Sequence, residues 1–212
     1  MKKICKILYK ILLVFVLVFF VSCSAEITLK LQKDGSVKIS YAGNFGSELS
    51  KIFFSQNVIE DDSLQNEKIQ IDELSFSELL KNSGFSNAKI ISNDLENFCA
   101  EMEDASQKSS LFVTGLFKIK NNSVQIDFSS ENLKKFYNNA AEEIQMNLDL
   151  LLAPVFNDEK MTPEEYLEMI STFYGEKVSN ELKNCTLKVN LIDTTGKKEK
   201  YNFYVPQLLS GD

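Results

Sequence analysis

The feature that most limits what this chain can fold into is a short apolar segment near its start. Residues 11–22 are apolar or small, and the ten residues before them carry four lysines and no acidic residue. A positive segment followed by roughly 7–15 apolar residues is typical of a secretory signal. Crossing the hydrocarbon of a bilayer takes roughly 20 residues, so this run is short for a permanent anchor. We therefore predict that residues 1–22 are a signal peptide and that residues 23–212 form one extracytoplasmic domain.

The end of the apolar segment reads Phe20-Val21-Ser22-Cys23. These residues resemble the lipobox of bacterial lipoproteins in its looser, spirochaete-type form, since Ser22 is small while Phe20 and Val21 stand where Leu and Ala are common. The resemblance implies that Cys23 is acylated, becomes the first mature residue and anchors the protein in the cell membrane or outer membrane. It implies no activity. The alternatives are an ordinary cleaved signal with an incidental cysteine and an uncleaved anchor.

The charge of the chain disfavours several classes of partner. Four of the 23 lysines lie in residues 1–22, which leaves 19 lysines against 30 acidic residues and a mature net charge of −11. The sequence contains no Arg, His or Trp. Nucleic acids and phosphate groups are bound by clustered basic side chains, above all by the planar guanidinium group of arginine, which can donate two parallel hydrogen bonds. We expect no nucleic-acid partner, and we expect the acyl chains on Cys23 to supply the membrane attachment.

The acid and base groups of the sequence give little sign of catalysis or of metal binding. Without histidine there is no histidine-based triad and no imidazole metal site. Adjacent carboxylates diverge on a helix or loop, whereas a glycosidase needs two that converge. Asp158, Glu159, Glu164 and Glu165 are close in sequence, but the spacing of a calcium-binding EF-hand loop is missing. We predict no enzyme, no cofactor and no metal site.

Two cysteines remain in the domain beyond Cys23. Cys99 and Cys185 could form a disulfide in an exported protein. The apolar alternation around Cys99 runs through Phe98 and Ala100, which turns Cys99 outward, whereas Cys185 is in phase with the inward Leu187. Opposite faces favour two free thiols, and the disulfide stays the alternative.

Three hairpins are predicted from alternating apolar residues. The first spans about 27–41, where Leu31 opposes Val37 around a three-residue loop with Gly35 in the left-handed region. The second spans about 111–128, with Asn121-Asn122 as a two-residue turn. The third spans about 186–205 around Thr194-Thr195-Gly196. Ser24, Ala25 and Glu26 are left as a short tether between Cys23 and the first strand.

Three helices are predicted between the strands. One covers about 76–83 and ends at Gly84 with Phe85 packed back on Leu80. A long one covers about 131–152 and is closed by Pro154. A third covers about 163–182, starts from the capping box Thr162-Pro163-Glu164-Glu165 and is bent or broken near Gly175. Hairpins with inserted helices indicate an α+β fold with an antiparallel sheet.

These features favour a membrane-anchored envelope lipoprotein with a binding or structural role. One alternative is a carrier that holds a small or apolar ligand between the sheet and the helix at 131–152, which would require a large apolar cavity. A less favoured alternative is a carboxylate-dependent hydrolase of envelope polymer.

Overall fold

The computed structural model describes residues 22–46, 48–49, 80, 84–94, 97–139, 145, 149, 151–157 and 159–210. The strands in this part of the chain are β1 (Ser22–Leu31), β2 (Val37–Phe45), β3 (Asn87–Asp94), β4 (Asn97–Asp104), β5 (Phe117–Lys120), β6 (Ser123–Ile126), β7 (Thr186–Ile192) and β8 (Lys198–Tyr204). The helices are α1 (Ser110–Val113), α2 (Ser130–Asn138), α3 (Ala153–Asn157), α4 (Pro163–Tyr174), α5 (Glu176–Leu182) and α6 (Val205–Leu209).

The predicted α+β fold is confirmed. Six of the strands form one sheet in the order β3-β4-β2-β1-β7-β8, and β5 and β6 form a separate ribbon. All neighbours in the large sheet are antiparallel except β1 and β7, which run parallel. A hairpin forces its two strands to run in opposite directions, but β1 and β7 lie far apart in the chain and no hairpin sets their direction.

The first hairpin has the predicted register. Leu31 lies opposite Val37, and the Gln32 amide donates to the Ser36 carbonyl at 2.8 Å, which closes the three-residue loop. Gly35 has a φ of 87°, a conformation that glycine adopts without a steric penalty. The parity of the two apolar sets was therefore sufficient to fix this turn.

The second hairpin is shorter than predicted. Its turn is confirmed, because Asn121 and Asn122 have φ values of 51° and 59° and Phe117 lies opposite Ile126. Residues 111–116 were wrongly assigned to the strand, since they contain α1 and the turn after it. Helix α1 buries Leu111 and leaves Val113, which was expected to face inward, 61% exposed. Strand alternation cannot apply to a helical turn, where residues two apart lie on different faces.

The third hairpin is confirmed, with Leu187 opposite Phe203 and Val189 opposite Tyr201. Its predicted end was one residue too long. Val205 is the first residue of α6, which has Pro206 in its first turn, and proline fits there because it lacks only an amide hydrogen that the helix does not use.

The predicted continuous helix at 131–152 is wrong. Helix α2 ends at Asn138, and the Tyr137 hydroxyl donates to the Asp149 carboxylate. Twelve residues of straight helix would separate these positions by about 18 Å, too far for this bond, so one straight helix cannot contain both. Asn139, directly after α2, is in a turn. Pro154 lies in the first turn of α3, and the helical residue Leu151 is followed by a turn at Leu152, so the expected helix end just before Pro154 is present. The apolar spacing predicted helix on both sides of the turn but could not reveal the turn itself.

The helix prediction at 163–182 is confirmed together with its break. The Thr162 hydroxyl accepts from the Glu165 amide and the Glu165 carboxylate accepts from the Thr162 amide, which is the reciprocal capping box. Gly175 has a φ of 90° and separates α4 from α5. Most of the helix at 76–83 lies outside the described residues. Its expected end is present, since Gly84 has a φ of 93° and the Phe85 amide donates to the Leu80 carbonyl at 2.9 Å.

The core lies on one side of the large sheet, which we call the core face. Alternate residues of the central strands are buried there, including Ile27, Leu29 and Val189 at 0% exposure and Ile39 at 1%. Helices contribute Tyr166, Ile170 and Leu182 to the same apolar cluster. Helices thus cover one face of the sheet, and no helix of the described ranges packs on the other face, where the outward residues of the central strands are mostly exposed.

Candidate functional site: the start of the first strand and the open face of the sheet

The strand that carries Cys23 is the third of the six counted from the β8 edge. Ser22 lies opposite Phe45 and Ser24 lies opposite Asn44, so Cys23 is the extra residue of a bulge. From Ser24 onward β1 is paired on both sides, with Asn44 of β2 and Thr186 of β7. Regular pairing therefore begins at the residue directly after Cys23.

The predicted tether between Cys23 and the first strand does not exist. Ser24, Ala25 and Glu26 each have partners in β2 and in β7, and Ala25 is 2% exposed. Polar residues at Ser24 and Glu26 gave no strand signal by alternation alone, because they lie on the uncovered side of the sheet.

The uncovered side, which we call the open face, consists of the outward residues of the six strands. Three rows of directly paired positions cross all six strands. A shorter row, made of Ser24, Asn44, Thr186 and Tyr204, lies between them and Cys23. The row farthest from Cys23 contains Asn87, Glu103, Lys38, Lys30, Ile192 and Lys198. The middle row contains Lys89, Glu101, Ser40, Thr28, Asn190 and Lys200. The nearest of the three rows contains Ser92, Cys99, Ala42, Glu26, Lys188 and Asn202.

The open face is positive, although the mature chain is strongly negative. Six lysines and three glutamates lie in these rows, a local net charge of +3. All six lysines are exposed. Lys30 and Lys38 are directly opposite each other, an arrangement that weakens the sheet because like charges repel. Two of the three carboxylates, Glu101 and Glu103, are on β4, whereas Lys198 and Lys200 are on β8, at the opposite edge of the sheet.

Polar contacts on the open face tie some of these side chains to their neighbours. The Asn190 amide donates to the Glu26 carboxylate at 2.7 Å and to the Thr28 hydroxyl at 3.3 Å. Lys89 and Glu101 are 3.8 Å apart and well exposed, so this ion pair contributes little to stability. These contacts involve side chains of β1, β3, β4 and β7, and neither Lys198 nor Lys200 of β8 takes part in them.

Three shallow depressions open on or beside this face. They have volumes of 560, 220 and 640 Å³. The first lies over β2, β3 and β4, the second lies near Ala42, Cys99 and Lys188, and the third lies between the turns at Asp34 and Thr195. Polar and apolar atoms both line them, and none of the three lies between the sheet and the described helices, where a carrier would need an apolar cavity.

Neither Cys99 nor Cys185 forms a disulfide. Cys185 is fully buried at 0% exposure, and Cys99 is half-buried on the open face, as their phases predicted. Strands β4 and β7 are separated by β2 and β1. Three strand spacings amount to about 14 Å, whereas a disulfide needs its two Cα atoms within about 7 Å of each other. The alternative of a Cys99–Cys185 disulfide is not formed.

The outer edge of β8 combines exposed lysines with aromatic rings. Lys198 and Lys200 are on the open face, and Tyr201 and Phe203 are on the core face with ring centroids 6.4 Å apart and an angle of 16° between the rings. Tyr201 is 40% exposed. Its hydroxyl donates to the Glu199 carboxylate at 3.0 Å, and this bond raises the pKa of the Tyr201 phenol. Lys197, 2.9 Å from Glu199, lowers the pKa of that carboxyl.

The acidic residues considered for chemistry do not converge in the described part of the chain. Glu165 is used to cap α4, and the Thr162 amide lowers the pKa of its carboxyl. Glu164 and Glu159 are exposed, while Asp158 lies outside the described residues. Within the described ranges, no group of three or more acidic or cysteine side chains is placed to hold a metal ion.

The comparisons with known proteins give no relative. No family model matches the chain, and no curated protein and no solved structure shows significant similarity to it. Among the described residues, no helix combines the length and the apolarity that spanning a bilayer requires. Function must therefore be argued from the residues themselves.

From the sequence, Cys23 stays a prediction as the lipidation site, and the positive face was missed. The signal was present, because lysines alternate with apolar residues in β1, β2 and β7 and with other residues in β8. Their convergence depends on the parallel pairing of β1 with β7, which places Lys30 two strands from Lys198.

Proposed function

We propose that this protein is a lipoprotein of the cell envelope, anchored outside the cytoplasm by acyl chains on Cys23, with a binding or structural role and no enzymatic activity. The lysine-rich start, the short apolar run and the small residue before Cys23 support the anchor. The single observation that carries the proposal is the bulge at Cys23. Cleavage before Cys23 would remove Ser22 from β1 and leave every regular strand pair intact.

This geometry favours close contact between the domain and the membrane. A bilayer anchor at Cys23 would lie one residue from the paired row formed by Ser24, Asn44 and Thr186. That end of the sheet would be near the headgroups. The opposite end, about 20 Å away along six residues of strand, would present the turns at Asp34 and Thr195 outward.

The experiment compares the wild type with Cys23→Ala and with Cys99→Ala as the matched control. Each variant loses one thiol, but Cys99 lies in β4, far in sequence from the proposed cleavage site. We expect the wild type and the control to partition into detergent, to incorporate labelled palmitate and to begin at an acylated Cys23 by mass spectrometry. Cys23→Ala should lose all three properties. An unacylated wild-type chain, or a mature terminus at another residue, would overturn the proposal.

A further inference from the structure

The two edges of the large sheet differ. The edge at β3 is interrupted by a bulge between Ile90 and Ser92, which disturbs pairing with another strand. The edge at β8 is regular, with seven consecutive pairs to β7 and no shift in register. In the part of the chain that the structure describes, no strand pairs with the outer side of β8. Among the described residues, the seven-residue outer edge of β8 therefore has no strand partner for its backbone groups.

The side chains of β8 separate into two kinds. On the open face Lys198 and Lys200 are exposed, their row neighbours Ile192 and Asn190 are neutral, and no carboxylate of the described residues forms an ion pair with either lysine. On the core face the half-buried ring of Phe203 and the exposed ring of Tyr201 form an aromatic strip. The ring of Phe128 packs against this strip, with its centroid 5.2 Å from that of Phe203.

We propose that β8 binds an extended segment of another envelope protein as a seventh strand, and that this segment alternates acidic with apolar residues. The acidic side chains would lie beside Lys198 and Lys200, and the apolar ones would lie on Tyr201 and Phe203. Backbone hydrogen bonds supply affinity in such strand addition, and alternate side chains supply specificity. The inference rests on the proposed binding role and names its surface, but it does not depend on acylation of Cys23.

Charge selects this occupant over three others. A second copy paired through β8 would bring lysines beside lysines on the same face. Headgroups of the anchoring membrane are too distant. Tyr204 is paired with Thr186 and lies at the level of Ser24, at the end of the sheet nearest the proposed anchor. Lys200 and Lys198 are about 13 and 20 Å along β8 from Tyr204, beyond the screening length of about 8–10 Å. A uniform polyanion would be repelled by Glu199 on the other side of the same strand, and it would find lysines but no arginine forks. An alternating strand meets each face with the matching side chain.

The test uses the full-length chain in nonionic detergent and a fluorescent synthetic peptide that alternates glutamate with valine and threonine. Binding is measured by anisotropy for the wild type, for the double variant Lys198→Glu with Lys200→Glu, and for the control Lys177→Glu with Lys183→Glu. Both control lysines are exposed on or just after α5, far from β8 in sequence, and the change in net charge is identical. We expect the β8 variant to bind about 10- to 30-fold more weakly and the control to bind like the wild type.

Two further peptides test the backbone contribution. N-methylation of alternate amides on the edge that faces β8 should weaken binding at least about tenfold, whereas methylation of the opposite edge should leave it unchanged, because both peptides keep every side chain. Wild-type binding should also weaken as NaCl rises from about 50 mM to about 0.5 M. Peptide addition should slow hydrogen exchange of the β8 amides.

Several results would overturn the inference. They are no peptide binding, equal loss in the control variant, indifference to N-methylation on either edge, tighter binding of polyphosphate or of anionic vesicles through the same lysines, and a dimer that Lys198→Glu with Lys200→Glu abolishes. Cys23→Ala separates the two proposals, since it should leave peptide binding intact while removing the anchor. A failure of acylation and a failure of strand addition are therefore distinguishable.

Discussion

Replacement of Asp104 by alanine should destabilise the domain more than most single substitutions. Asp104 ends β4 at 0% exposure. Its carboxylate accepts the backbone N–H groups of Ser109 at 2.9 Å and of Ser106 and Lys108 at 3.1 Å each. These three bonds shape the loop between β4 and α1, and Ser109 is itself buried.

The expected loss follows from what the alanine leaves behind. A buried donor without an acceptor costs about 1–3 kcal/mol, and the two partly buried amides recover some of their loss through water. We expect Asp104→Ala to lower the free energy of unfolding by about 3 kcal/mol. Asp104→Asn keeps one acceptor oxygen but turns an amide group towards a donor, so it should lose about 2 kcal/mol.

Urea denaturation followed by far-ultraviolet circular dichroism measures this loss. With a slope of about 2 kcal/mol/M, Asp104→Ala should lower the midpoint by about 1.5 M. Asp193→Ala is the matched control, because the Asp193 carboxylate also accepts backbone N–H groups, from Thr195 at 2.8 Å and Lys197 at 2.9 Å, but both donor residues are exposed. Its midpoint should fall far less. Equal midpoints for the two alanine variants would refute the argument from burial.

Three further outcomes are expected. Gly84→Ala should be more destabilising than Gly196→Ala in the same urea assay. Both glycines have positive φ, but an added Cβ would lie 2.7 Å from a backbone oxygen at Gly84 and would meet nothing within 4 Å at Gly196. Equal losses of stability in the two variants would contradict this. A lysine 2.7 Å away lowers the pKa of Asp127 to about 2, so its contribution to stability is present above the unfolded pKa of about 4 and is lost as the pH falls through about 2. Asp127→Asn should therefore show a shallower fall in stability over that range, and an unchanged slope would be evidence against the ion pair. In folded protein a maleimide reagent should modify Cys99 and spare Cys185, with both modified in urea; modification of Cys185 at the same rate as Cys99 would contradict its burial.

The elements that sequence predicted correctly are those whose signals are local. Leu31 and Val37 share a face, so their loop has odd length, and Asn121 and Asn122 tolerate the positive φ of a tight turn. The capping box at Thr162 is complete within four residues. Each of these depends on neighbours in the chain, and each is present in the structure.

The errors arose where hydrogen bonds from side chains, rather than apolar alternation, decide the outcome. Helix α1 forms at the end of β4, where the buried Asp104 carboxylate gathers the amides that precede the helix. The turn after Asn138 is accompanied by a bond from Gln145 to the Tyr137 carbonyl at 3.1 Å. Neither contact is visible in hydrophobic periodicity. The same contrast applies to the candidate site. Cys23 belongs to a local sequence motif, whereas the outer edge of β8 results from the strand order of the whole sheet.

The parallel pair of β1 and β7 also governs when this protein can finish folding. One edge of β1 pairs with β2, and the other edge, over residues 24–30, pairs with residues 186–192. If the chain is exported amino end first, as proposed, the β7-facing edge of β1 stays unpaired until nearly the whole chain has crossed. Closing so long a loop is slow. A polypeptide that stopped before residue 186 would keep β1 paired with β2 but would leave the other edge of β1 open to pairing with another strand.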